Sequence, residues 1–140
     1  MTRPVEYDSL LKIGSFKEAV TSPASIAQFK QSAREMQQAL TAEMPDSARF
    51  LLAYEGMFCV VMAVLERHGV RQGDGNGHRV TAIQRVAADL KIEPAAQSVL
   101  ARLHDLRNRV TYRQPIPPIT AADAKAMSSI LDALLKAAAL

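Results

Sequence analysis

Three residues in the second half of the chain carry side chains suited to binding a phosphate-bearing anion. They are Arg107, Asn108 and Tyr112, which supply a guanidinium, a carboxamide and a phenol. A guanidinium donates paired hydrogen bonds to phosphate oxygens, and amide and phenol groups donate single ones. The spacing places all three near the end of one predicted helix, where they form a candidate anion site.

Arg107 lies at the edge of an apolar helical stripe, which makes it the most informative of the three. At 100° per residue this stripe is centred near Leu103, four residues before Arg107. A guanidinium beside a core needs acceptors, because burying an unpaired charge is costly. Either an internal carboxylate or carbonyl holds it, or it lines a cleft that a ligand can enter.

The segment 102–113 concentrates positive charge. Its Arg102, Arg107, Arg109 and Arg113 are opposed by Asp105 alone, so its formal charge of +3 equals that of the whole chain. Arg102, Arg109 and Arg113 fall on the solvated side of the helix, and the last two extend the candidate site. Such a patch meets phosphate, but arginines near a helix C-terminus also compensate its dipole without a ligand. Both interpretations stay open.

The remaining chemical candidates are His78, Cys59 and a glycine-rich loop at 73–77. His78 follows that loop at the start of a helix and would add an imidazole to the site if this helix start meets the end of the Arg107 helix. The loop joins two helices, whereas phosphate-cradling loops follow a strand, so it is interpreted as a flexible turn. Cys59 lies in the most apolar helix, where thiols are usually inert. Neither the histidine spacing nor Asp74 and Asn76 in the loop predicts a metal site, and we expect no cofactor.

Helical periodicity positions these residues, and no stretch alternates as a strand does. A short helical piece is predicted over 7–17, and five helices are predicted to begin at Ser22-Pro23, Pro45-Asp46, about Val80, Pro94 and Thr120. Pro45-Asp46 is expected to end one helix and cap the next, and Gly69 to cap the end of the following one. We therefore predict an all-α, up-down bundle of four to five helices, with a short N-terminal helical segment at 1–20 and the bundle at 21–140, in one domain overall.

Composition narrows the class of protein. The chain has 140 residues, of which 49% are hydrophobic and only 5% aromatic, so the core must be aliphatic. A single cysteine excludes an intramolecular disulfide and fits a reducing compartment. The first eight residues lack the apolar run of a signal peptide, and the longest apolar stretch, 57–65, is too short to span a bilayer. We expect a cytoplasmic protein without membrane contact.

Three stretches resemble the HEPN helical domains, named for nucleotide binding in higher eukaryotes and prokaryotes, and in particular their short stand-alone bacterial members. The segment Leu106-Arg107-Asn108-Arg109-Val110-Thr111-Tyr112 resembles the motif of Arg, often Asn, three residues and His, with Tyr112 where nuclease members carry His. The stretches 53–57 and 65–71 resemble the long central helix and its Gly turn, and 77–79 resembles a Gly-His pair that opens the next helix. The resemblance covers about residues 10–135.

This resemblance implies a homodimer in which Arg and His of both subunits converge on a cleft that cuts RNA without metal. A phenol with a pKa near 10 stays protonated at pH 7, so Tyr112 favours binding over cleavage. We expect an interaction module of a toxin–antitoxin or phage-defence system, with an antitoxin-like or nucleotidyltransferase-like partner. It would bind RNA or a nucleotide-like anion through Arg107, Asn108, Arg109, Tyr112, Arg113 and His78. Two alternatives stay open: a metal-independent endoribonuclease toxin with Arg107 and Tyr112 as catalytic residues, and a structural dimer in which Arg107 pairs internally.

Overall fold

The protein is mostly helical, in agreement with the predicted all-α class. A computed structural model describes residues 3–74, 77–114 and 116–139, so Gly75 and Asn76 of the glycine-rich loop and Pro115 of the proline run lie outside the described residues. The helices are α1 (Val5–Lys12), α2 (Pro23–Ala39), α3 (Asp46–Arg67), α4 (His78–Asp89), α5 (Pro94–Tyr112) and α6 (Ala121–Ala138).

The central element is α3, which packs chiefly against α2 and α6. Eleven of its 22 residues are buried, because apolar side chains occupy most of its circumference. Gly56 lies between α6 and α2: a Cβ atom there would be 3.1 Å from Leu131 Cδ2 on α6 and 3.4 Å from Met36 Cβ on α2. The missing side chain therefore permits this packing distance.

The structure corrects the expectation that no strands occur. Two short strands, β1 (Phe16–Glu18) and β2 (Val70–Gln72), pair antiparallel with Phe16 opposite Gln72. Three residues are too few to show alternation in a sequence, and this pairing joins segments more than 50 residues apart. The N-terminal helix accordingly ends at Lys12, five residues before the predicted end. Tyr7 and Phe16 of this segment belong to the same core cluster as the bundle helices.

The end of β2 is held tightly against the chain that precedes β1. The Gly73 N–H donates to Ser15 O at 2.7 Å. A Cβ atom on Gly73 would collide with Gly14 O, so only glycine fits at this position. Gly73 thus has a packing role. This part of the glycine-rich loop is hydrogen-bonded to the segment before β1 and is not a free turn.

The predicted starts of α2, α5 and α6 are confirmed, because capping depends on residues within one turn. The Ser22 hydroxyl accepts from Ser25 N, Pro94 is the first residue of α5, and Thr120 and Asp123 form a capping box. The prediction for Pro45-Asp46 was wrong in part. Helix α2 ends at Ala39, and α3 begins at Asp46 after Pro45 with no side-chain cap.

Helix α3 also bears on the membrane prediction. Among the described residues it is long and apolar enough to cross a membrane by length and composition. The uninterrupted apolar stretch at 57–65 therefore understated the apolar length of this helix. In the fold, 61% of its most apolar window is buried inside the protein. Burial of this kind is what the core helix of a globular bundle shows.

Candidate anion-binding site

A cavity of about 770 Å³ lies where the end of β2 and the start of α4 meet the C-terminal half of α5. Helix α5 exposes side chains three and four residues apart on one face, and this face forms one wall. The charged residues that line the cavity are Arg79, Arg107, Arg113 and Asp105, with a formal sum of +2. The cavity therefore has a positive lining.

The Arg107 side chain is buried yet lines this cavity, and only 8% of the residue is exposed. Its Nη2 donates to Glu55 Oε1 at 3.3 Å, and its Nη1 donates to Asn108 Oδ1 at 3.2 Å. Its Nε is buried and has no hydrogen-bond partner. Both sequence-based alternatives are thus partly realised, because an internal carboxylate holds the guanidinium by one bond while the side chain also faces a cavity.

Two aromatic rings flank the Arg107 guanidinium. Its Cζ lies 5.0 Å from the centroid of the Tyr54 ring and 5.3 Å from that of the Tyr112 ring. Tyr54 is buried in α3, whereas Tyr112 at the end of α5 is 70% exposed. Arg107 and Tyr112 therefore do meet although five positions separate them on α5, and Tyr112 presents a ring at the cavity mouth.

A chain of hydrogen bonds fixes the side chains behind Arg107. A guanidinium has only donors, so the Asn108 group facing it must be the carboxamide oxygen. Asn108 Nδ2 then donates to His104 Nε2 at 3.2 Å. His104 Nε2 must be unprotonated to accept, so the ring proton is on Nδ1, 2.9 Å from the Tyr54 hydroxyl. Both ring nitrogens of His104 are consequently occupied.

Burial keeps the two innermost groups of this chain neutral. It lowers the pKa of His104 below the usual value for histidine, and the positive charges of Arg79 and Arg107 lower it further against the opposing effect of Asp105. Burial also raises the pKa of the Tyr54 hydroxyl, although the positive charge of Arg79 opposes this shift. Neutral His104 is the form that the Asn108 amide requires.

Arg79 is the second inner guanidinium and was missed by sequence reasoning. It is in the first turn of α4, with its Cζ 4.1 Å from the centroid of the Phe58 ring. Its Nη1 is buried without a hydrogen-bond partner. The segment 77–79 was singled out for its histidine, but the next residue is the one that lines the cavity. A rotation of 100° per residue explains how neighbours on a helix face different surroundings.

The other predicted site residues divide into two groups. Asn108, Tyr112 and Arg113 line the cavity, and Arg113 is exposed. His78 and Arg109 are not among the described residues that line it. Arg109 instead donates to Gln114 O at 3.4 Å and to Pro117 O at 3.0 Å, and so ties the end of α5 to the proline-containing segment.

Sequence reasoning missed four further participants, namely Tyr54, Glu55, Gln72 and His104. The spacing of His104 and Asn108 is i, i+4, a signal that could have identified their contact. Glu55 is a carboxylate within the most apolar helix, which could also have marked it as a partner for Arg107. Within residues 3–74, 77–114 and 116–139, no group of three or more His, Cys, Asp or Glu residues could hold a metal ion.

Comparison with protein-family models, with curated proteins and with solved structures gives no match for this chain.

Proposed function

We propose that this chain is a HEPN-like module that binds the phosphate groups of RNA or of a nucleotide-like anion in the cavity between β2, α4 and α5. One observation carries the proposal: Arg79 and Arg107, from two different helices, line the same cavity, and each has a buried N–H without an acceptor. A buried donor without a hydrogen-bond partner costs free energy. A ligand oxygen in the cavity would accept a hydrogen bond from each guanidinium and remove this cost.

A phosphate is the ligand chemistry that fits these donors best. Guanidinium groups bind phosphate oxygens with paired, charge-assisted hydrogen bonds. Arg113 adds a third positive charge at the exposed rim, and the Tyr112 ring beside it offers a surface on which a base stacks. The arrangement therefore suits a phosphate inside and a base at the mouth.

Binding is favoured over cleavage because neither His104 nor Tyr112, among the described residues that line the cavity, is suited to general acid–base catalysis at neutral pH. Both nitrogens of His104 are engaged, by Tyr54 and by Asn108. Tyr112 carries a phenol, which is a weak base at neutral pH. A metal-independent endoribonuclease with Arg107 and Tyr112 as catalytic residues is the second candidate, favoured by the 5.3 Å approach of Tyr112 to Arg107.

A homodimer and a role in a toxin–antitoxin or phage-defence system are part of the proposal. Tyr112, which lines the cavity, and Ile116, four residues later, are both 70% exposed, and a second copy would cover this apolar surface. Sedimentation of a purified sample at micromolar concentration tests this point, and a monomer would contradict it.

The decisive experiment is a salt-dependent binding titration of the wild type and Arg79→Met. Fluorescence anisotropy with a labelled single-stranded RNA should show affinity that falls steeply as salt rises. Arg79→Met should weaken binding about 10- to 100-fold and reduce the salt slope by about one, because one phosphate contact is lost. Absence of binding at low salt would refute the proposal.

A matched control comes from the other end of α4. Arg85 is also a partly buried arginine, but it pairs with Asp89 and does not line the cavity. Arg85→Met should therefore leave RNA affinity and salt slope unchanged, although both variants lose one positive charge. Equal loss in both would show that net charge, not the cavity, governs binding.

The nuclease candidate needs a separate measurement. Labelled RNA incubated with the purified protein and analysed on a denaturing gel should stay intact in the presence of chelator. Cleavage that is abolished by Tyr112→Phe, with RNA binding retained, would establish the endoribonuclease instead. Growth arrest on expression that Arg107→Ala relieves, without loss of fold, would point the same way.

A further inference from the structure

The unpaired buried atom of Gln72 is an acceptor, whereas those of Arg79 and Arg107 are donors. It is the last residue of β2 and lines the same cavity as Arg79 and Arg107. Its carboxamide oxygen is buried and receives no hydrogen bond, whereas the orphaned atoms of the two arginines are donors. The wall thus combines two sets of donors with one unpaired acceptor.

The position of this acceptor is set by the backbone around it. Gln72 is opposite Phe16 in the strand pair, and the next residue, Gly73, is bonded to Ser15 O. The strand pairing involves the backbone of Gln72, and the side-chain oxygen has no hydrogen-bond partner within the protein. The carboxamide is therefore held at the cavity wall by a strand end that has little freedom to move.

We infer that Gln72 selects a ribose ligand by accepting a hydrogen bond from its 2′-hydroxyl group. This inference rests on the proposed function, in which Arg79 and Arg107 hold the adjacent phosphate. Phosphodiester oxygens accept but do not donate at neutral pH, so the phosphate itself cannot satisfy Gln72. The 2′-hydroxyl is the donor that lies next to the phosphate in RNA and is missing in DNA.

The test compares two oligonucleotides that differ in the sugar alone. Fluorescein-labelled oligouridine and oligodeoxyuridine of equal length carry the same base, which has no exocyclic amine to donate to Gln72. Wild-type protein should bind the ribose form about tenfold more tightly, the difference that one hydrogen bond to a buried acceptor produces. Unlabelled uridine monophosphate as competitor distinguishes a free nucleotide from RNA as the source of the ribose.

Substitutions at Gln72 should change the ratio of the two affinities. Gln72→Met removes the acceptor and should weaken binding of oligouridine alone, so that the ratio falls to about one. Gln72→Glu keeps an acceptor but adds negative charge, so both affinities should fall while the preference for ribose remains. Gln28→Met, at an exposed glutamine on α2 outside the cavity lining, should change neither affinity.

The outcomes separate this inference from the function on which it rests. Equal wild-type affinity for both oligonucleotides, with binding still dependent on Arg79, would overturn the role of Gln72 and leave anion binding intact. A ribose preference that survives in Gln72→Met would likewise overturn it. Failure of both oligonucleotides to bind at low salt would overturn the proposed function as well.

Discussion

Replacing Arg107 with methionine should weaken anion binding strongly at little cost to the stability of the fold. The substitution keeps an unbranched apolar side chain against the Tyr54 ring and removes the guanidinium. The free energy of unfolding should change by no more than about 1 kcal/mol, since the losses and gains nearly cancel. RNA affinity should fall about 10- to 100-fold, because a charge-assisted contact to phosphate is lost.

The separate contributions of the Arg107 side chain to the free energy of unfolding can be estimated from the structure. The ion pair with Glu55 contributes at most about 0.5 kcal/mol, because the Glu55 side chain is 45% exposed and screened by water. The hydrogen bond to Asn108 and the contacts with Tyr54 and Tyr112 add roughly 1 to 2 kcal/mol. Against these, removing the orphaned Nε–H relieves about 1 to 3 kcal/mol.

Urea denaturation followed by circular dichroism, combined with the anisotropy titration, measures both quantities on the same sample. Arg85→Met is again the control, with the opposite expected pattern. Arg85 donates to Asp89 Oδ1 at 3.1 Å and 2.7 Å, so its loss should destabilise by about 1 to 2 kcal/mol without weakening RNA binding. Destabilisation of Arg107→Met by more than about 3 kcal/mol with unchanged affinity would refute the reasoning and establish Arg107 as a structural anchor.

Three further predictions concern stability, each measured by urea denaturation. Tyr7→Phe should leave stability unchanged or raise it by up to about 1 kcal/mol, because the Tyr7 hydroxyl is buried without a hydrogen-bond partner; a clear loss would reveal a bond to Asp89. Gly56→Ala should destabilise by about 1 to 2 kcal/mol, since the added methyl group lies 3.1 Å from Cδ2 of Leu131, which is fully buried and must shift; stabilisation would mean that helix propensity outweighs packing. Wild-type stability should decrease as pH falls below about 6.5, because the lowered pKa of His104 keeps it neutral in the folded state while the unfolded chain takes up a proton. His104→Gln should show a shallower decrease between pH 6.5 and 5, and an unchanged slope would contradict the assignment.

Local signals account for the parts of the fold that were predicted correctly. The caps at Ser22 and Thr120 and the helix start at Pro94 depend on residues within one turn, so a short stretch of sequence specifies them. The position of Arg107 at the edge of the apolar stripe followed in the same way from its spacing to Leu103 on one helix. Asn108 lies beside Arg107 as the next residue in the chain, whereas Tyr112, five positions later, meets Arg107 although helical spacing alone places the two on different sides.

The contacts of Arg107 with other helices, and the other residues that line the cavity, result from the packing of the helices. Glu55, His104 and Arg79 come from α3, α5 and α4, and only the packing of these helices brings them together. The pairing of β1 with β2, which positions Gln72, joins distant segments whose three residues show no strand pattern. The formation of most helices and the position of Arg107 beside the core could be predicted from the sequence, because periodicity and capping are local. Whether Arg107 finds an internal carboxylate depends on its contact with Glu55, 52 positions away in the chain, and no local pattern encodes such a contact.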